Sequence, residues 1–208
     1  MLNTIIHGDC KDVIPYIDNG SIDLILTDPP YPRKYMHCYE HLANLCPTVM
    51  KKGSSLLTLV GHYALPEVMY IFKDKLKYRW LFCMNQEKGK HARMAMGIEV
   101  MWKPILWYVK ESYPNGKGFI KDMLHIDGKD GQSKKLHKWE QDITWAKFFI
   151  EKLTNKGDIV LDPFIGSGTT AIACMETGRN FIGIEQSQEY VDTCNKRILE
   201  YKDMIIYE

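Results

Sequence analysis

No two of the six cysteines stand in a CxxC pair, no histidine spacing completes a zinc site, and no apolar run is long enough to span a bilayer. Those absences argue against a disulfide scaffold, a zinc module and a membrane span. Cys10, Cys38, Cys46, Cys83, Cys174 and Cys194 read as free thiols of a reducing, intracellular setting. No metal is expected, and the start of the chain carries no signal-peptide pattern. The net charge of +1 gives no global field to attract a polyanion. No internal repeat or low-complexity tract interrupts the chain.

What remains is ordinary globular composition: 208 residues, 45% hydrophobic and 25% charged. One domain over 1–208 with a full core fits that length. Charge is uneven locally. Lys73 to Arg93 holds seven Lys/Arg against Asp74 and Glu87, and Lys117 to Lys138 holds six Lys against three Asp. A solvated surface explains such clusters, and so does contact with a phosphate backbone.

Short β-rich runs alternate with helical patterns. Strands are expected at 3–9, 21–27, 53–61, 78–85, 103–110, in "DIVLDP" and in "NFIGIEQ". Helices are expected at 41–51, 65–72, 139–153, 169–177 and 188–199, with a short helix or turn over "CKDVIPYIDNG". Residues 112–138, polar and rich in Gly and Lys, read as a loop, and 32–40 as a loop able to close on a substrate. This alternation predicts an α/β fold with a mostly parallel sheet and helices on both faces. In such sheets ligands bind outside the carboxyl ends of the strands, where four acids are expected together: Asp9, Asp28, Asp162 and Glu185.

Two stretches carry chemistry. "VLDPFIGSGTTAIA" follows a strand and opens a helix, and Gly166-x-Gly168-x-x-Ala171 fits the glycine fingerprint of nucleotide-binding turns. Taken alone it suits a NAD-dependent oxidoreductase nearly as well as a methyltransferase. Asp162-Pro163 before the glycines suits a pyrophosphate poorly. It suits a cationic ligand with a ribose, as S-adenosyl-L-methionine is, with Glu185 placed for ribose hydroxyls. The second stretch, "SIDLILTDPPY", ends a strand in Asp28, two prolines that cannot extend it, and Tyr31.

"DPPY" and "DPFIGSGTT" together resemble the catalytic and cofactor motifs of the N6-adenine/N4-cytosine DNA methyltransferases. The catalytic motif comes first, as in the β group, whose order is a circular permutation of the common methyltransferase fold. "HGDC" (His7–Cys10) resembles that group's adenine-side cofactor motif. "HKWEQDITWAKFFIEKLTNKGDIVLDPF" resembles the helix leading into its cofactor strand. Two departures stand out: Glu185-Gln186-Ser187 where the family has Glu, an apolar residue and Asp, and little chain for target recognition beyond 112–138.

The resemblance implies a Rossmann-like domain that methylates N6 of a flipped adenine in double-stranded DNA, with N4 of cytosine as the alternative and RNA as an open substrate. It implies catalysis by Asp28, Pro29, Pro30 and Tyr31. Cofactor contacts fall to Asp9, Cys10, Asp28, Asp162, Pro163, Phe164, Gly166, Ser167, Gly168, Thr169, Glu185 and Gln186. Phosphate contacts are expected from Arg33, Lys34, Lys88, Lys90 and Arg93. A short recognition site or a homodimer would compensate for the small recognition region, and the protein would act at the nucleoid. A catalytically idle nucleic-acid-binding relative remains the reading from another class. His37, His41, His62 and His137 are expected in structural or surface roles, and Trp102, Trp107 and Trp139 in the core.

Overall fold

The computed structural model describes residues 2–86, 92–112, 118–126 and 143–206. Its strands are β1 (Thr4–His7), β2 (Ile22–Thr27), β3 (Met50–Leu59), β4 (Lys77–Gln86), β5 (Ala92–Met94), β6 (Ile98–Val100), β7 (Trp102–Val109), β8 (Met123–Ile126), β9 (Ile159–Asp162) and β10 (Asn180–Glu185). Its helices are α1 (Cys10–Val13), α2 (Met36–Val49), α3 (Leu65–Phe72), α4 (Thr144–Leu153), α5 (Thr169–Thr177) and α6 (Gln188–Ile206).

Eight strands form one sheet in the order β1-β10-β9-β2-β3-β7-β4-β8, and β5 and β6 form a separate two-stranded ribbon. Every neighbouring pair in the large sheet is parallel except the two that β7 makes with β3 and β4. One reversed strand in a parallel sheet matches the mostly parallel fold expected from the strand–helix alternation.

Alternating side chains bury opposite faces. Leu24, Leu26, Leu57, Ile105, Trp107 and Val160 point to the face covered by α4, α5 and α6. Ile25, Leu56, Leu106, Tyr108, Leu161 and Ile182 point to the face covered by α1, α2 and α3. Burial on both sides explains why these strands read as continuous apolar runs. Each such side chain contributes about 1.5–3 kcal/mol on leaving water.

The chain order places the switch point between β9 and β2. From β9 the chain moves outward through α5 to β10, and from β2 it moves the other way through α2 to β3. Pairing between β2 and β9 stops at Ile25–Leu161, short of both carboxyl ends. Beyond it the strands part, and the side chains bridge the gap: the Thr27 hydroxyl donates to Asp162 at 2.7 Å. That opening is where an α/β sheet takes its ligand.

Several expectations need correction. Residues 32–40 are not an irregular loop. A 3-10 turn covers Arg33–Tyr35 and α2 begins at Met36, five residues before the predicted start. Tyr39, Leu42, Ala43, Cys46 and Val49 are buried at helical spacing along it, which anchors the segment. Residues 112–138 are not all loop either, because β8 extends the sheet beside β4. The β5–β6 ribbon had no predicted counterpart, and α6 runs seven residues past its predicted end. Residues 139–142 of the predicted helix before β9 lie outside the described residues, so α4 is described from Thr144. Trp107 is core as expected, Trp139 lies outside the described residues, and Trp102 is only half-buried, edge-on to His62 at 4.5 Å.

A candidate active site at the switch point

The carboxyl ends of β1, β2, β9 and β10 open into a cavity of about 280 Å³. It is lined by Asp9, Cys10, Asp28, Pro30, Pro163, Phe164, Gly166, Glu185 and Gln186, all of them expected site residues. Three of the four strand-end acids therefore face one space. The fourth, Asp162, sits beneath it.

Asp162 is 5% exposed and both oxygens of its carboxylate are hydrogen-bonded. One oxygen accepts from the Thr27 hydroxyl (2.7 Å) and the Phe164 amide (3.1 Å), and the other from the Thr170 hydroxyl (2.7 Å). Burial pushes its pKa up to about 6 against those three hydrogen bonds, and the nearby Asp28 adds to the rise. It acts as a clamp that ties β2, the glycine turn and α5 together, rather than as a wall of the cavity.

The turn after Asp162 is held from both ends. The Gly166 amide donates to Glu185 at 3.0 Å, and the Ser187 amide donates to the other Glu185 oxygen at 2.8 Å. Arg197, buried on α6, donates to the Ser167 carbonyl at 3.3 Å. Gly168 caps α5 with φ +91°, and a Cβ there would lie 2.5 Å from the Cys194 sulfur. Its smallness serves helix packing and its backbone serves the turn, while Gly166 faces the cavity. Ser167, Gly168 and Thr169 shape the turn without lining the cavity.

At the opposite wall, Asp9 caps α1 by accepting from the Lys11 amide at 3.0 Å and pairs with the Lys11 ammonium at 3.3 Å. Partial burial raises its pKa, but Lys11 and His41 outweigh burial and hold it below the ordinary value.

The Asp28–Tyr31 stretch crosses the mouth. Pro29 is buried and Pro30 reaches the cavity. The Tyr31 carbonyl accepts from the Tyr63 hydroxyl, and the Lys103 ammonium lies 5.7 Å from the Tyr31 ring centre. Asp28 keeps part of its surface open, yet it sits in a depression crowded by protein atoms. That desolvation raises its carboxyl pKa, with Tyr31 and Lys103 pulling the other way. The Tyr31 hydroxyl is buried beside Asp28 without a hydrogen bond of regular geometry.

The cavity also has walls that the sequence did not announce: Tyr35, His37, Cys38, His41 and Tyr190. All but Tyr190 belong to α2 or the turn before it, so the one available signal was the apolar spacing from Tyr39 to Val49. Arg33 and Lys34 are exposed on that same turn, with the Lys34 ammonium 4.8 Å from the Tyr35 ring centre. Arg93 lies apart on β5, 3.8 Å from Glu99. Lys88, Lys90 and His137 lie outside the described residues.

The chain is similar to known proteins over most of its length. Residues 22–196 match the N6/N4 methyltransferase family, described as DNA methylase. The DNA adenine methyltransferase YhdJ of Escherichia coli (strain K12) is 26% identical over 94% of this chain and 82% of its own. Among solved structures, the M1.HpyAVI–SAM complex superposes with a TM-score of 0.74 at 24% identity, over 94% of this chain and 98% of that one. The cytosine-N4-specific PvuII DNA methyltransferase superposes with a TM-score of 0.78 at 17% identity, over 98% and 92%.

Proposed function

The chain belongs to the N6/N4 DNA methylase family, and on that premise we propose that it methylates N6 of adenine in double-stranded DNA, with S-adenosyl-L-methionine as the methyl donor. The observation that carries the reading is the meeting of Asp28, Asp9 and Glu185 around one cavity at the sheet's switch point. The family match removes the nicotinamide reading of the glycine turn.

The donor set of the cavity fits this cofactor. The carboxylates of Asp9 and Glu185 suit a sulfonium cation with an α-amino group and a ribose diol, which leaves Asp28 for the acceptor. Bound there, the cofactor supplies an electrophilic methyl group on a positively charged sulfur. Glu185 is fixed by two backbone amides, and each of its oxygens keeps a second lone pair for a ribose hydroxyl. Asp9 and Cys10 would take the adenine edge, with Gln186 beside them. Gly166, Pro163 and Phe164 would take the methionine end. Ser167, Gly168 and Thr169 hold the turn that presents Gly166, and Asp162 positions it.

The acceptor work falls to the Asp28–Tyr31 stretch. The adenine amine is a poor nucleophile because its lone pair is delocalised into the ring. The Asp28 carboxylate and the Pro29 carbonyl would each accept one amine hydrogen, favouring a tetrahedral nitrogen whose lone pair is free. Pro29 and Pro30 hold the backbone so that little reorganisation is needed as charge develops. The half-buried Tyr31 would offer its ring to a base extruded from the duplex. A charged acceptor at Asp28 is stronger than a hydroxyl, and in the family Asp at this position accompanies adenine enzymes more often than cytosine enzymes.

Arg33 and Lys34 on the turn before α2 would meet DNA phosphates, and Arg93, Lys88 and Lys90 are proposed as further phosphate contacts. The whole of 1–208 would act as one domain, with 112–138 as a reduced recognition region that includes β8. Such a small region fits a short target site or a homodimer.

Product analysis tests the reading. The protein is incubated with genomic DNA and cofactor, and the DNA is digested to nucleosides for mass spectrometry. N6-methyladenine is expected. Dominant N4-methylcytosine would overturn the adenine assignment, and no modification of any DNA or RNA would favour the idle relative.

A further inference from the structure

One end of the cavity brings carboxylate, thiol and imidazole donors together. The ligating atoms of Asp9, Cys10 and His41 all lie within 4.8 Å of one another. They come from two elements locked by the core: Cys10 opens α1 and is buried among the same side chains as Tyr39 and Leu42 of α2, which carries His41. One turn earlier on α2, the His37 Nε2 lies 3.7 Å from the Cys38 sulfur. A shared tetrahedral ion with Zn–S of about 2.3 Å and Zn–N of about 2.0 Å would place such atoms about 3.5 Å apart. The His37 Nδ1 lies 3.0 Å from the Lys34 carbonyl, which can only accept. That carbonyl puts the proton on Nδ1 and leaves the Nε2 lone pair facing Cys38, as an outer partner does for a ligating imidazole. The His37 and His41 rings are 5.5 Å apart, so both donor groups share one wall.

We propose that Asp9, Cys10 and His41, flanked by His37 and Cys38, form a site for a borderline-soft divalent cation of the zinc class, and that its occupancy excludes the cofactor from the cavity. The mixture of sulfur, imidazole and carboxylate suits such an ion, whereas calcium and magnesium select oxygen donors. The ligands must close by about 1 Å to reach tetrahedral spacing. Side-chain rotation provides that, at the cost of Asp9's partly exposed pair with Lys11 and its cap on the Lys11 amide. The exclusion rests on the cofactor reading above, because Asp9 and Cys10 would otherwise serve the adenine edge.

The test has two arms. In the first, zinc is titrated into the full chain against a chromophoric chelator, and cobalt(II) replaces it for spectroscopy. One equivalent should bind, and the cobalt form should show thiolate-to-metal charge-transfer absorption. Cys10→Ser should abolish that band, and His41→Asn should weaken binding at least about tenfold. Thermal unfolding confirms that each variant is folded, and the half-buried His41 keeps the test valid if Cys10→Ser is not. No binding by the wild type, or binding unchanged in His41→Asn, overturns the site. In the second arm, S-adenosylmethionine affinity is measured calorimetrically with and without zinc. Affinity should fall as zinc rises in the wild type, and much less in His41→Asn. Cofactor affinity untouched by bound zinc overturns the exclusion. Failure of the cofactor to bind without zinc overturns the cofactor reading alone and leaves the first arm to decide the metal site.

Discussion

The two ends of the sheet are finished differently. At the β1–β10–β9–β2 end, side chains answer the backbone: Glu185 takes two amides, Asp162 an amide and two hydroxyls, Asp9 an amide, and Arg197 a carbonyl. Around β4, β8 and the β5–β6 ribbon, large apolar side chains meet solvent: Trp80, Met94, Met96, Ile98, Met101, Phe119 and Met123. A small ligand gains from a site whose dipoles are fixed before it arrives. The apolar surface that the described residues expose there suits contact with something large.

The contrast should be broken most severely at the mouth. Asp28→Ala should lower turnover by at least about 100-fold, the scale set by removing one preorganised hydrogen-bonding group from a transition state. Single-turnover kinetics at saturating cofactor would read this, and a loss under tenfold would remove Asp28 from the chemistry.

Glycine substitutions compare the ends directly. Gly168 and Gly97 have similar backbones, with φ +91° and +80°. A Cβ at Gly168 meets the Cys194 sulfur at 2.5 Å, whereas a Cβ at Gly97, in the ribbon turn, meets nothing within 4 Å. Gly97→Ala should cost about 1–2 kcal/mol from backbone strain alone, and Gly168→Ala about 1–3 kcal/mol more from overpacking. Urea unfolding of the two variants measures the difference, and equal costs would deny that the cofactor end is the tighter.

The buried clamp has a pH signature. Asp162 titrates near 6 in the fold against 3.8 as the ordinary value, so the folded chain binds its proton more tightly than the unfolded chain. Its contribution is favourable below pH 3.8 and is lost as pH rises through 6, at about 1.4 kcal/mol per unit of difference and about 3 kcal/mol in all. Asp162→Asn keeps the side chain's shape and abolishes the titration. Its stability relative to the wild type should therefore rise from pH 4 to pH 6, as followed by urea midpoints. Parallel curves would contradict the burial account.

A smaller effect concerns Lys103. It lowers the Asp28 pKa that desolvation raises, so Lys103→Ala should raise that pKa further. Because the acceptor works only when ionised, the acidic limb of the turnover profile should move to higher pH. A profile that stays in place would separate Lys103 from Asp28.

Much of this was legible in the chain because the informative residues are local. Asp28-Pro29-Pro30-Tyr31 and the turn from Asp162 to Thr170 each declare a strand end by composition, and α3 and α5 start and stop where their patterns do. β8 and the β5–β6 ribbon were not legible, since they lack the bounded apolar runs that marked the equally short β1 and β9 and form because neighbours pair with them. The start of α2 was hidden by Pro32 and by polar residues between the buried ones. The cluster of Asp9, Cys10, His37, Cys38 and His41 was invisible for another reason: no spacing rule links Asp9–Cys10 to the α2 residues, which only the packing of α1 on α2 brings beside them.

Calorimetry with S-adenosylmethionine on Glu185→Ala and Asp28→Ala tests the central division of labour most directly. Glu185→Ala should weaken binding by about 1.5–3 kcal/mol per charge-assisted hydrogen bond lost, roughly 10-fold or more, while Asp28→Ala should bind nearly as the wild type does and fail to turn over. Unchanged affinity in Glu185→Ala, or a comparable loss in Asp28→Ala, would contradict a cofactor site held by β10 and a separate acceptor at the end of β2.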